Sequence, residues 1–432
     1  MASLYAVKPE TDIPIEPIPA PESVAEVGVP RTVLEDLALK TLHIAGSLSQ
    51  LELAAKMRLT YGVVDELCRR FRTDQLCELS GMTGNVPQLA ITSRGRARAT
   101  DLFALNQYVG AAPVSAESYA HMVRQQSVRN LEVHADDVLR AFSDLVLDDR
   151  MLKKLGTAMN SGSSIFLYGP SGTGKTSIAT ALSRVLSVDP VWIPFAVEVE
   201  GQIITVYDRN VHIQANANIS QSHDARWVLC NRPTVLVGGE LTIEMLDLQI
   251  NPVTKFYTAP VQMKANNGAL IIDDFGRQRL RPEELLNRWV VPLDRRIDFL
   301  NLAGGKSIEV PFELFVVFAT NLDPSELADA AFMRRIQTKI KVDAVSRQQF
   351  HEIFRRVCSD LGLACDPDVV DESIDIIQNQ MKEPLRACHP RDIVNQIRWA
   401  ASYEEREPCL DRDALLAAVD AYFVTDSDDN HH

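Results

Sequence analysis

The 432-residue chain lacks the cysteine pattern of a cross-linked or zinc-binding protein. Its seven cysteines (Cys68, Cys77, Cys230, Cys358, Cys365, Cys388, Cys409) are scattered and odd in number, and no CxxC pair occurs. That argues against a disulfide framework and fits reduced thiols. His389 beside Cys388 has no second pair to complete a metal site. Long apolar runs are missing as well. Leu314–Ala319 and Ala269–Ile272 fall far short of the roughly 20 residues that cross a bilayer. No basic-then-apolar leader opens the sequence, so the expectation is a cytoplasmic protein without membrane contact.

Positive charge is scarce. Lys and Arg number 44 against 58 Asp and Glu, a net charge of −14. A general nucleic-acid coat is not expected at that balance. The deficit is uneven, because residues 1–30 carry one Lys and five acids, whereas residues 31–108 carry ten basic and eight acidic residues. Any DNA contact would have to be local and N-terminal. Hydrophobic residues make up 46% and charged residues 24%, which allows a sizeable folded core.

What is present divides the chain into segments. Residues 1–30 hold six prolines and read as a disordered, Pro-rich leader. Residues 31–108 read as helix, helix, helix, hairpin, helix. Ser49 and Glu52 form a capping box, and the expected third helix carries Arg69, Arg70 and Arg72. Arg94, Arg96 and Arg98 open the last helix. This order resembles a winged-helix domain. Residues 109–134 read as a connector, residues 135–345 as alternating strands and helices of a parallel α/β domain, and residues 346–425 as four helices. Residues 426–432 form a tail ending in His431 and His432.

The strongest motif follows the apolar run Ile165–Tyr168. Gly169, Pro170, Ser171, Gly172, Thr173, Gly174, Lys175 and Thr176 spell G-x4-G-K-T, and Ser177 continues into a helical stretch. Glycines let main-chain N–H groups close around phosphate oxygens, with the positive end of the helix behind them. Lys175 is placed to reach the terminal phosphates and Thr176 to offer a hydroxyl to Mg²⁺.

Further elements suit a nucleoside triphosphatase. Ala269–Ile272 ends in Asp273, a candidate Mg²⁺ ligand, and Asp274, a candidate base for the attacking water. Leu314–Ala319 leads to Asn321, which could position that water. A helix-like stretch, Ser325–Phe332, precedes Arg334 and Arg335. A fork-shaped cation there could meet the charge of a transferring phosphoryl group. Arg391 opens a helix in the all-α segment, a second place from which a cation could reach the nucleotide.

These motifs, in this order over residues 135–425, resemble an AAA+ ATPase. The resemblance implies an α/β P-loop NTPase parallel sheet with a C-terminal α-helical lid. It makes Gly169–Thr176 Walker A, Ile271–Asp274 Walker B, Asn321 sensor 1, Arg334 or Arg335 the trans-acting finger and Arg391 sensor 2. It also implies ATP and Mg²⁺ as ligands and a homo-oligomeric ring, usually a hexamer. Met263–Leu270, together with the strand–turn–strand pattern of Arg296–Leu302, Gly304-Gly305 and Lys306–Val310, is similar to the MoxR, magnesium chelatase and enhancer-binding branch. There, such hairpins face the pore. Ile203–Tyr207, Val211–Gln214 and Thr234–Val237 look like extra strands, one of them a candidate second pore insertion, and Phe256-Tyr257 is either a pore aromatic or part of the core. One position departs from the family: its second Walker B acid is usually Glu, whereas Asp274 is one methylene shorter, so either the loop compensates or hydrolysis is slow.

Two uses of such a motor stand side by side. One is remodelling or translocation of a protein partner, with residues 31–108 as a substrate or adaptor module. The other is a DNA-associated or regulatory factor anchored through residues 31–108. A small-molecule kinase needs only the phosphate loop and gives Arg334 and Arg335 no role.

Overall fold

The computed structural model describes residues 16–162, 164–187, 189–216, 223–327 and 333–423. The first half of the expected leader, most of the stretch Ser325–Phe332 and the tail 426–432 lie outside them. The chain forms two compact units that interleave in sequence. One comprises residues 1–131, 186–270 and 284–315, the other residues 132–185, 271–283 and 316–432. This division cuts across the linear segments read from the sequence.

In the first unit, helices Arg31–Ala45, Gln50–Met57 and Tyr61–Thr73 precede strands Cys77–Thr83 and Val86–Ile91 and helix Ser93–Leu105. A short strand, Ser47–Ser49, joins the edge of the hairpin, antiparallel to Val86–Ile91. Local chemistry sets these boundaries. Both bonds of the Ser49–Glu52 capping box form, and the Thr92 hydroxyl accepts from Gly95 N–H to start the last helix. Leu34, Leu53, Val63, Leu67 and Leu89 are fully buried between these elements. Each such side chain stabilises the fold by about 1.5–3 kcal/mol.

Residues 16–30 differ from the disordered leader expected of them. Val24, Val27 and Val29 are buried in the same core. The backbone is tied down as well: Asp224 N–H donates to Ile18 O at 2.8 Å, and Arg226 Nη1 donates to Val27 O at 2.8 Å and Pro113 O at 3.1 Å. Arg226 is itself buried and paired with Asp224 at 2.7 Å. The segment turns at residues 23–27 and is docked by its three valines together with these hydrogen bonds.

The rest of this unit is largely β. A five-stranded sheet runs in the order Gln249–Ile250, Tyr257–Thr258, Gln202–Thr205, Ala196–Val199, Val114–Ser115. Strand Ile297–Asn301 pairs antiparallel with Ser307–Pro311, so the expected hairpin forms. The Val211–Gln214 reading is corrected: only Gln214 makes a bridge, to Cys230. For Phe256-Tyr257 the core alternative holds. Tyr257 is 2% exposed and its hydroxyl accepts from Ala303 N–H, while Phe256 lies edge-on to Tyr108.

A five-stranded parallel sheet carries the phosphate-loop motif. Its strands are β1 (Ser164–Tyr168), β2 (Thr234–Val237), β3 (Ala269–Ile272), β4 (Phe315–Thr320) and β5 (Thr338–Lys341), in the spatial order β2-β3-β4-β1-β5. Thr234–Val237, read from the sequence as a possible pore insertion, is thus an edge strand of this sheet. Central strands β1, β3 and β4 are almost wholly buried, as their unbroken apolar runs require.

C-terminal to the sheet, the second unit is helical: Arg347–Asp360, Pro367–Asp375 with a π-helical continuation Ile376–Gln380, His389–Tyr403 and Arg412–Tyr422. Phe350, Phe354, Ile374, Ile393, Ile397 and Leu415 form its core. The architecture is α/β with a C-terminal helical segment, as the sequence indicated. Among the described residues no helix is long and apolar enough to cross a membrane.

Candidate nucleotide site

Strand β1 delivers the chain to the phosphate loop, and helix Lys175–Leu186 carries it away. The loop needs glycine. Gly169 has φ of 142°, and a Cβ there would sit 2.2 Å from Val342 O. Val342 N–H in turn donates to Tyr168 O at 2.8 Å, so the end of β5 pins the start of the loop. Gly172 has φ of 78°, open to glycine and costly for other residues. Within the loop, Thr173 Oγ1 donates to Pro170 O at 2.9 Å. Ser171 is exposed at its tip, and Ser177 is exposed on the first turn of the helix.

Lys175 is buried, and its Nζ donates to Gly169 O at 2.9 Å and Pro170 O at 2.7 Å. Burial lowers its pKa, while the nearby charges of Asp273 and Asp274 work in the opposite direction. The ammonium is therefore held at the loop, with two carboxylates in range to favour its charge.

Asp273 and Asp274 leave the end of β3. Thr176 Oγ1 donates to Asp273 Oδ2 at 2.8 Å, joining the end of the phosphate loop to the acid. Asp273 Oδ1 accepts from Asp274 N–H at 3.0 Å. Asp274 has φ of 49°, a left-handed conformation that Asp and Asn adopt more readily than other non-glycine residues. The next residue locks this geometry. Phe275 is 1% exposed, stacks edge-on to Phe166 and Phe318, and donates its N–H to Ala319 O at 2.7 Å. Thr320 Oγ1 donates back to Phe275 O at 2.6 Å. The ends of β3 and β4 are thereby clamped together, which brings Asn321 Nδ2 to 3.2 Å from Asp274 Oδ1.

The structure thus gathers Gly169–Thr176, Asp273, Asp274 and Asn321 at one end of the sheet. The three expected arginines are placed differently. Arg334 is exposed and Arg335 half-buried, in the turn before β5. Arg391 is exposed on the first turn of helix His389–Tyr403 and makes no hydrogen bond or ion pair among the described residues. Sequence reasoning missed Arg386. Its Cβ and Cδ lie 3.6 and 3.3 Å from where a Cβ on Gly172 would stand, and Cys388 N–H donates to Gly172 O at 3.1 Å. The available signal was an arginine just before the helix rather than inside it.

The donors present suit a hard divalent cation. A threonine hydroxyl and a carboxylate are oxygen ligands, and Mg²⁺ is typically held by one or two protein groups plus phosphates and water. Among the described residues no cluster of three or more His, Cys, Asp or Glu is able to hold a metal.

Residues 346–421 match a family model described as a domain of unknown function (DUF8689). No curated protein matches the chain by sequence. Among solved structures, the Thermotoga maritima RuvB Holliday junction branch migration motor is similar at 14% identity, over 64% of this chain and 69% of that one, with a TM-score of 0.37. Domain III of the Thermotoga maritima replication initiation protein DnaA is similar at 11% identity, over 66% of this chain and 97% of that one, with a TM-score of 0.38.

Proposed function

We propose that this protein is an AAA+ ATPase that hydrolyses ATP between the subunits of a ring, in the cytoplasm, and uses it to remodel or translocate a protein partner. The observation that carries this reading is the meeting of Thr176, Asp273, Asp274 and Asn321 at the ends of β1, β3 and β4, through bonds of 2.8 and 3.2 Å. A bare phosphate loop, as in a small-molecule kinase, does not require the last two.

In this reading, main-chain N–H groups of Gly172–Thr176 and the Lys175 ammonium hold the phosphates. Thr176 and Asp273 would hold Mg²⁺, which when bound supplies positive charge against the phosphate oxygens. Asp274 orients a water for in-line attack on the terminal phosphorus and takes its proton as the bond to the leaving ADP oxygen breaks. Asn321 fixes the Asp274 carboxylate through Oδ1. Arg334 or Arg335 of an adjoining subunit meets the charge of the departing phosphoryl group. Residues 31–108 act as a winged-helix adaptor module, and hairpin 297–311 is the pore-facing insertion of the MoxR-like branch.

A protein partner is favoured over duplex DNA by the net charge of −14 and by the ion pairs of Arg69 and Arg70. On the third helix, Arg69 is bonded to Asp65 at 2.5 Å and Arg70 to Asp74 at 3.3 Å. Two of the six arginines that a duplex would need are thus already engaged on their own helix.

The test is subunit complementation. An Arg334→Ala/Arg335→Ala chain and an Asp274→Asn chain should each be inactive alone and recover turnover when mixed. Failure to recover in mixed oligomers rejects a site built from two chains. Absence of ATPase activity in the wild-type protein rejects the reading altogether.

A further inference from the structure

Arg386 lies against the phosphate loop yet is engaged elsewhere. Its Nη2 donates to Glu383 Oε2 at 2.6 Å. Its Nε is buried without a hydrogen-bond partner, so the guanidinium has donor capacity that Glu383 leaves unmet. Both ends of the segment are fixed. Leu385 O accepts from Val345 N–H at 2.9 Å, and Cys388 N–H donates to Gly172 O at 3.1 Å. The backbone that carries the carboxylate is fixed too, because Glu383 N–H donates to Ile377 O at 3.0 Å after the π-helical turn, where Lys382 takes φ of 53°.

Arg386 therefore has a resident carboxylate on its guanidinium and a side-chain stem running beside the loop that would bind phosphate, a second anionic claimant. Guanidinium forks suit both equally in shape. We infer that Glu383 is a resident competitor for Arg386, a latch that the bound triphosphate must displace and that sets nucleotide affinity below what the loop and Arg386 together would give. This rests on the nucleotide-site reading above and adds a residue with no phosphate contact of its own. The pair is partly solvent-exposed, 31% for Arg386 and 40% for Glu383, so it is weak enough to exchange. Exposed pairs of this kind correspond to about a two- to fivefold change in a binding constant.

The experiment is titration of the full chain with a fluorescent ATP analogue and Mg²⁺, alongside steady-state kinetics. Glu383→Gln should bind ATP about two- to fivefold tighter than wild type and lower KM without raising kcat. Arg386→Ala should bind more weakly, and the double variant should match Arg386→Ala alone. A folded Glu383→Gln protein with unaltered or weaker affinity overturns the latch. So does tightening that persists in the Arg386→Ala background, since the carboxylate would then act by its charge alone. If Glu383→Gln does not fold, Glu383→Asp weakens the same pair by shortening the reach. It should also tighten binding, and unchanged affinity there overturns the proposal. A wild-type chain that binds no ATP rejects the nucleotide-site reading and the latch together, whereas wild-type binding with no effect at Glu383 rejects the latch alone.

Discussion

Asn321 Nδ2 donates to Asp274 Oδ1 at 3.2 Å, so the side chain at the end of β4 holds the acid at the end of β3. The link is made possible by Phe275, whose main chain bonds to both Ala319 and Thr320. It occupies one oxygen of Asp274, and in the proposed mechanism the other oxygen takes the proton.

Asp274→Asn should separate hydrolysis from binding. Asn tolerates the left-handed φ of 49° at this position, so thermal stability should stay within about 0.5 kcal/mol of wild type. Turnover should fall by about 100-fold or more with the loss of the base, while ATP affinity is retained. Unchanged turnover in a phosphate-release assay would move the base to another residue.

Lys175→Ala should act at the binding step. The wild-type ammonium is held by two loop carbonyls at 2.9 and 2.7 Å, already positioned at the phosphate loop. Its removal deletes a charge-assisted contact, and ATP affinity should fall by about ten- to 100-fold. Calorimetric titration that gives a wild-type Kd for this variant would refute the role assigned to the loop.

Gly172→Ala should destabilise the second unit. The new methyl would meet Cys388 Sγ at 2.6 Å on a backbone with φ of 78°. The expected cost is about 1–3 kcal/mol in denaturant melts. Adding Cys388→Ala should recover part of it, because the steric component goes and the backbone component stays. Full additivity of the two substitutions would show that the contact does not exist.

His389 should make stability fall at acid pH. It is 1% exposed, lies edge-on to Tyr422 and Phe423, and burial pulls its pKa down to about 4, with Arg386 adding to the effect. Because the folded-state value lies below the ordinary one near 6.5, the unfolded chain binds the proton first. Stability from this group is complete above pH 6.5 and declines as pH falls towards 4, by about 2–3 kcal/mol. His389→Gln should flatten melting temperature against pH across that window, and an unaltered slope would assign the acid sensitivity to other groups.

The phosphate loop, the two aspartates, Asn321 and the four C-terminal helices were legible in the amino-acid order because each depends on neighbours in the chain. A G-x4-G-K-T turn is dictated by its own glycines, a buried strand announces itself as an apolar run, and Ser49 finds its capping partner three residues on. What the sequence could not supply were relations between distant segments. Thr234–Val237 reads like any short strand, and only its place beside β3 makes it part of the central sheet rather than an insertion. Val24, Val27 and Val29 are unremarked in a proline-rich stretch until a core 40 residues away gives them somewhere to go. Arg386 gains meaning only from the approach of Cys388 to Gly172, more than 200 positions apart in the chain. Local conformation is set by short-range sterics and hydrogen bonding, which the sequence carries by itself. Which side chain meets which anion is set by long-range packing, and that belongs to the tertiary structure alone.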